Sequence, residues 1–247
     1  MILIYVLIST FLVSLISFIG VLTLLLKEEF LNKILLILVV FSAGALIGGA
    51  FLHLIPEAIE KVGLKEGDIL KIFLYLISGF CTFLILEQFI SWHHHHTTQH
   101  PEIAPFSYLI LVSDGIHNFI DGLIIAASFA VALPVGVATT IAVALHEIPQ
   151  EIGDFAVLVY GGFGKAKALF LNFLSAILAI LGGIFGFLLS EKIGDSIVFL
   201  LPFAAGNFIY IASSDLIPEI KHRESFLKEI IYFIAFLLGV VLMLIIK

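Results

Sequence analysis

Two short motifs in this 247-residue chain put titratable groups in the middle of long apolar runs. One is His117-Asn118-Phe119-Ile120-Asp121-Gly122; the other is His146-Glu147-Ile148-Pro149-Gln150-Glu151, which continues to Gly153 and Asp154. An ionisable side chain at the centre of a membrane helix costs roughly 2.5–3.5 kcal/mol on insertion scales, so it is seldom found there without a task. Imidazole, carboxylate and amide together make a ligand set for a borderline divalent metal. The combination points to a divalent ion handled inside a bilayer.

Helical spacing brings these groups together. Asp114, His117, Asn118 and Asp121 follow i, i+3, i+4, i+7 and share one face. His146 and Gln150 share a face on the next run, with Glu147, Glu151 and Asp154 beside it. About sixteen residues lead from His117 to the turn near Leu133 and Pro134, and about twelve lead back to His146. At a rise of about 1.5 Å per residue the two imidazoles therefore lie within roughly 6 Å of the same depth. Pro149 removes a backbone hydrogen bond and frees a carbonyl that water, a neighbour or an ion must satisfy, unless it serves only to kink the helix.

The elements that must position these motifs follow from composition. The chain is 61% hydrophobic and 13% charged, with a mean hydropathy of +1.20, outside the range of soluble domains. Eight apolar runs are long enough to span: Ile2–Leu26, Ile34–Ile55, Ile72–Trp92, Phe106–Ala132, Pro134–Tyr160, Ala166–Leu189, Ser196–Ile217 and Leu227–Ile246. They predict an all-α polytopic membrane protein with eight transmembrane helices in a single transmembrane domain over 1–247, with a His-rich loop at 93–105. The first run has neither a basic leader nor a small-residue cleavage site and reads as a retained helix. Cys81 is the one cysteine, so no internal disulfide forms. A net charge of −7 argues against nucleic-acid binding and agrees with attraction of cations.

The basic loop residues set orientation. With both termini outside, the inner loops hold Lys27, Lys33, Lys165, Lys167, Lys221, Arg223 and Lys228, and the outer segments hold Lys61, Lys65, Lys71, Lys192 and Lys247. The positive-inside rule favours that arrangement by a narrow margin. It predicts a multi-pass cell-membrane protein with both termini extracytoplasmic.

An internal repeat is the other strong signal. Phe41-Ser-Ala-Gly-Ala-Leu-Ile-Gly-Gly-Ala-Phe-Leu-His-Leu-Ile-Pro-Glu57 aligns without a gap on Phe203-Ala-Ala-Gly-Asn-Phe-Ile-Tyr-Ile-Ala-Ser-Ser-Asp-Leu-Ile-Pro-Glu219. Gly44/Gly206, His53/Asp215, Pro56/Pro218 and Glu57/Glu219 fall in register. These are the second and seventh runs, which cross in opposite directions. Helices one to three and six to eight would thus form an inverted repeat around a core of helices four and five.

These motifs resemble those of the Zrt/Irt-like protein (ZIP) family of divalent metal transporters over essentially the whole chain. The likeness rests on His-Asn-x-x-Asp-Gly, His-Glu-x-Pro-x-Glu-x-Gly-Asp and the His-Leu-x-Pro-Glu end of the second helix, and is closest to the branch whose fifth helix reads His-Glu-x-Pro-His-Glu-x-Gly-Asp. The resemblance implies a first metal site of His117, Asp121 and His146 with His53 contributing from helix two. It implies an adjoining second site using Asn118, Asp121 and Glu147, with Asn172 where helix six supplies a ligand. Gln150 stands where that branch has His. Its amide offers an uncharged carbonyl oxygen and weakens any bridging arrangement. Gly49 stands where some members have an acidic residue near the outer mouth.

The function this implies is transport of a divalent cation, Zn2+ first and Cd2+, Fe2+ or Mn2+ next, toward the cytoplasm, with the metal as substrate and no organic cofactor. Neutral imidazole is the ligand form, so acid competes with metal. The His93–His96 run with His100 would collect metal on the inner side or be a solvated polar loop. His53 with Glu57, and Asp215 with Glu219, would be relays near opposite faces or ordinary helix-end polar groups. Gly44, Gly48, Gly49, Gly182, Gly183 and Gly186 read as packing faces, which permit a homodimer without requiring one. Two other classes compete. An intramembrane zinc hydrolase is suggested by His146-Glu147, but His-Glu-x-x-His needs His at position 150. A non-transporting sensor has no need of mirrored halves.

Overall fold

The computed structural model describes residues 2–21, 28–62, 66–94, 103–189, 193–219 and 226–246. Those residues form eight helical rods and no strand. We label them α1 (Ile2–Gly20), α2 (28–62), α3 (Glu66–His94), α4 (Pro105–Val131), α5 (Leu133–Tyr160), α6 (Lys165–Leu188), α7 (193–219) and α8 (Phe226–Ile246). Seven are long and apolar enough to cross a membrane. The exception is α5, whose 28 residues give ample length but which carries Glu147, Glu151 and Asp154. Large apolar side chains such as Phe73, Ile77, Phe233 and Leu238 cover the outward faces of α3 and α8, as expected of helices solvated by lipid.

The hairpin of α4 and α5 sits at the centre. One extended residue, Ala132, separates the two helices. Pro134 falls in the first turn of α5, where its fixed φ suits a helix start and its missing N–H is no loss. Thr139 Oγ1 donates to Ser128 Oγ at 3.0 Å and ties the helices just inside that turn. So short a connection holds His117 and His146 at matching depth. Pro149 is buried within a continuous α5.

Neighbouring helices close on the hairpin through backbone approaches that only glycine allows. A Cβ on Gly122 of α4 would overlap the Ala179 carbonyl of α6, and one on Gly182 would overlap the Phe119 carbonyl in return. The same reciprocity joins α2 to α8 (Gly44 on Phe236, Gly239 on Phe41) and α7 to α3 (Gly206 on Leu76, Gly79 on Phe203). In a bilayer, where burial of apolar surface does not drive helices together, such close packing is what holds them.

Both α2 and α7 change winding near one end. Gly49–Leu54 and Ile211–Leu216 are π-helical, and each is followed by Ile-Pro-Glu. Proline cannot donate to the ladder, and a one-residue bulge absorbs the misfit. In α6 the α-helix breaks at Ile177, between Lys165–Ala176 and Leu178–Leu188.

Some expected boundaries move. The helix of α3 runs through His93 and His94, so the polar connection is shorter than 93–105; His95, His96 and His100 lie outside the described residues, as does His222. Lys27, Lys65, Lys192, Lys221, Arg223 and Lys247, on which the orientation reading partly rests, also lie outside them.

The reciprocal contacts predict a sign. Alanine is the better helix former by about 1 kcal/mol, yet overlap with a carbonyl in packed backbone costs about 1–3 kcal/mol. Gly182→Ala is therefore expected to lower the melting temperature of the detergent-solubilised protein. A raised value would refute the account.

Candidate metal centre

Four ligand atoms from α4 and α5 converge. His117 Nε2 lies 3.6 Å from Asp121 Oδ2 and 3.4 Å from Glu147 Oε1. His146 Nε2 lies 3.2 Å from the same Asp121 oxygen and 3.6 Å from the same Glu147 oxygen. All four atoms are within 4.8 Å of one another. Zinc binds imidazole nitrogen and carboxylate oxygen at about 2.0–2.2 Å in tetrahedral geometry, which spaces its ligands about 3.4 Å apart. The four nitrogen–oxygen separations bracket that value. The set is also largely buried: His117, Asp121 and Glu147 are buried and His146 nearly so.

Each member is there for a local reason. His117 and Asp121 are one turn apart on α4, and His146 and Glu147 are consecutive on α5, at a point where the helix faces both α4 and α2. The His117 ring packs 5.1 Å from Phe208 of α7 and 5.5 Å from the His146 ring. This positions the His117 ring without using its nitrogens, whereas His146 Nε2 is within hydrogen-bond distance of Asp121 Oδ2. Among the described residues, neither ring nitrogen of His117, nor either oxygen of Glu147, has a hydrogen-bond partner. Buried polar atoms without partners are costly, and a shared cation would satisfy several at once.

A second cluster adjoins the first. Asp114, Glu147 and Glu151 are all buried and bring carboxylate oxygens within 4.8 Å of one another, so Glu147 belongs to both groups. Asp114 is held in place: Asn118 Nδ2 donates to its Oδ1 at 2.9 Å, Gln150 Nε2 to the same atom at 3.4 Å, and Ser175 Oγ to its Oδ2 at 2.5 Å. Asn172 of α6 donates to Glu151 Oε2. Glu151 Oε1, both oxygens of Asp154, and the amide oxygens of Asn118 and Asn172 have no hydrogen-bond partner among the described residues. Lys61 pairs with Glu57 and Lys71 with Asp68, so neither offsets these buried acids.

The residues singled out in the sequence therefore divide. His117, Asp121 and His146 come together, and Glu147 joins them. Asn118 and Gln150 orient Asp114, and Asn172 orients Glu151. His53 stands apart from the four: its Nε2 is 2.7 Å from the Met243 carbonyl of α8, and its ring is 5.9 Å from that of His146. Asp114 and Glu151 were legible only as members of the polar faces, and the signal that marks them is the same i, i+4 spacing from Asn118 and Glu147. A cavity of about 310 Å³ leads to the His117–His146 group, with His53, Glu57 and Lys61 along its α2 wall.

Comparison with known proteins fits this geometry. The family model described as ZIP Zinc transporter matches residues 2–106 and 93–247. The chain belongs to the ZIP zinc transporter family. Its ZIP relatives include "Zinc transporter zipt-7.1" of Caenorhabditis briggsae, 31% identical over 85% of this chain and 70% of that one. "Zinc transporter ZIP13" of Pongo abelii is 35% identical over 82% of this chain and 64% of its own. "Zinc transporter SLC39A7" of Homo sapiens is 30% identical over 87% and 64%. The chain thus spans 64–70% of the length of these three relatives. These relatives are named as transporters, not hydrolases, and Gln150, bonded to Asp114, cannot supply the second imidazole of a protease motif.

Because Glu147 faces both clusters, Glu147→Gln is expected to weaken Zn2+ binding by at least about 100-fold. Ser175→Ala removes only a donor to Asp114 and is expected to weaken it about tenfold. Isothermal titration calorimetry on solubilised protein compares the two. Equal effects would separate Glu147 from the metal.

Proposed function

We propose that this chain carries a divalent cation, zinc foremost, across the membrane toward the cytoplasm. The single observation behind the reading is the tetrahedral spacing of His117, His146, Asp121 and Glu147 at the end of a cavity in a bundle of apolar helices. Family membership and the names of the relatives agree with it. In this reading the ion exchanges water for imidazole and carboxylate at His117, Asp121, His146 and Glu147. His53 meets it earlier, on the cavity wall. The ion's charge is neutralised by the carboxylates, without which a bare dication in low dielectric is prohibitively costly.

An adjoining second position uses Glu147 as a shared ligand, with Asn118 and Asn172 offering amide oxygens and Asp114 and Glu151 extending the carboxylate path. Gln150 tunes Asp114 from the side. The cargo set includes Cd2+, Fe2+ and Mn2+ after Zn2+, because oxygen-rich ligands admit harder ions. A caged ion would not leave, so the sites bind moderately.

The architecture we infer is one transmembrane domain of eight spans, α5 being the eighth, in the cell membrane with both termini outside. Its acidic residues are tolerated because they face the bundle interior. The inverted repeat of α1–α3 and α6–α8 is supported by the matched π-helical segments before Pro56 and Pro218 and by the mirrored glycine contacts of α2 with α8 and α7 with α3. The mirrored halves rock about the α4–α5 core to change which side the site faces. The glycine faces leave room for a homodimer.

Uptake of Zn2+ into proteoliposomes tests the function. His117→Ala and His146→Ala are each expected to abolish uptake while leaving the protein folded. Rates equal to wild type in both variants would refute the assignment.

A further inference from the structure

The cavity that leads to the metal group contains an unexpected member. Its lining includes two carboxylates (Glu57, Asp121), three imidazoles (His53, His117, His146) and one ammonium, Lys61. Lys61 Nζ lies 3.3 Å from Glu57 Oε1, one helical turn away on α2, with both side chains about a third exposed, at 36% and 35%. Glu57 is in turn one turn from His53, whose imidazole is held by the Met243 carbonyl and lies 5.9 Å from the His146 ring. Lys61, Glu57 and His53 thus follow one another a turn apart along the α2 wall, from the helix end inward, and His53 faces His146 of α5.

A lysine in a path for cations needs a reason. As a structural element the pair is weak, since exposed i, i+4 pairs contribute little to stability. As an electrostatic element it matters more, because a positive charge at the mouth of a cavity between apolar helices acts on every ion that enters. The cavity of about 310 Å³ also admits a hydrated ion, whose six waters occupy roughly 180 Å³ at about 30 Å³ each.

We propose that Lys61 is the resident counter-cation of the entry cavity: its ammonium occupies Glu57 until an incoming hydrated dication displaces it. Glu57 is then the first carboxylate the ion meets, and Lys61 sets the concentration at which it enters. The ion passes from Glu57 to His53 and on to His146 and Asp121, while the lysine swings outward on its flexible stem. Two positive charges on the ion outcompete one on the ammonium for the same carboxylate, so the exchange favours dications over monovalent ions. This inference rests on the transport reading above and adds the entry step to it.

The test measures initial Zn2+ uptake against Zn2+ concentration in proteoliposomes for wild type, Lys61→Gln, Lys61→Arg and Glu57→Gln. Lys61→Gln is expected to lower KM about three- to tenfold at low ionic strength with the maximal rate unchanged. The gain should fade as salt shortens the Debye length from about 30 Å at 0.01 M to about 8 Å at 0.15 M. Lys61→Arg, which keeps the charge, is expected to keep the wild-type KM, and Glu57→Gln to raise it. A damaged fold loses uptake and does not lower KM, so the direction separates the proposal from a structural role. A KM unchanged in Lys61→Gln or in Glu57→Gln, with wild type transporting, overturns the entry step alone. Absence of uptake by wild type overturns the transport reading and the entry step with it.

Discussion

The structure depends on carboxylates and imidazoles buried face to face between α4 and α5, with no lysine paired to them among the described residues. Asp114, Glu147, Glu151 and Asp154 are all buried, and many of their oxygens have no donor. Charges in such a place demand protons or a cation, because the attraction of an ion is the one term large enough to offset their desolvation. This makes the interior a receptor for positive charge before any particular metal is named. Nearby polar groups are arranged accordingly: Asn118, Gln150 and Ser175 donate to Asp114, and Asn172 donates to Glu151.

Holding those acids at ligand spacing requires a rigid hairpin, and the packing supplies it. The single extended residue at Ala132 fixes the register of α4 against α5. Glycine contacts clamp α4 to α6 on one side, and on the other Gly153 of α5 meets the Ser42 side chain of α2. These approaches leave no space for side chains, so a shift of α6 or α2 must move the ligand-bearing helices with it. The π-helical turns in α2 and α7 lie beside the two prolines, where the backbone ladder is already interrupted. Such interruptions are where helices bend, and in α2 the interruption contains His53. Winding and the placement of His53 are therefore coupled on that helix.

Charge is also graded along the cavity. A lysine–glutamate pair, a histidine, and then the two-histidine, two-carboxylate group succeed one another from the end of α2 to the middle of the bundle. The donor set changes from oxygen alone to mixed nitrogen and oxygen, and beyond Glu147 back to oxygen alone. On the proposed transport reading, a borderline ion such as Zn2+ would bind most firmly in the mixed set, and the oxygen-rich stretches on either side would let it arrive and leave.

Periodicity and hydropathy alone determined the helical class, the central hairpin and the two faces bearing His117, Asp121 and His146, because side-chain direction in a helix follows from spacing and apolar length follows from the bilayer. The in-register Leu-Ile-Pro-Glu segments were legible as a repeat, and the structure adds that α2 and α7 change winding where those segments begin. Helix ends were less legible: α3 carries His93 and His94 within its last turn, because local polarity alone does not stop a helix that already has its hydrogen-bond ladder. Which atoms meet was decided only by tertiary structure. Glu147 joins the two histidines, Asn172 reaches Glu151 rather than the His117 group, and His53 is drawn to the Met243 carbonyl. Spacing defines a face to within a turn, whereas ligand contact is set by how closely neighbouring backbones approach. That distance is fixed by glycines on other helices, far away in the chain.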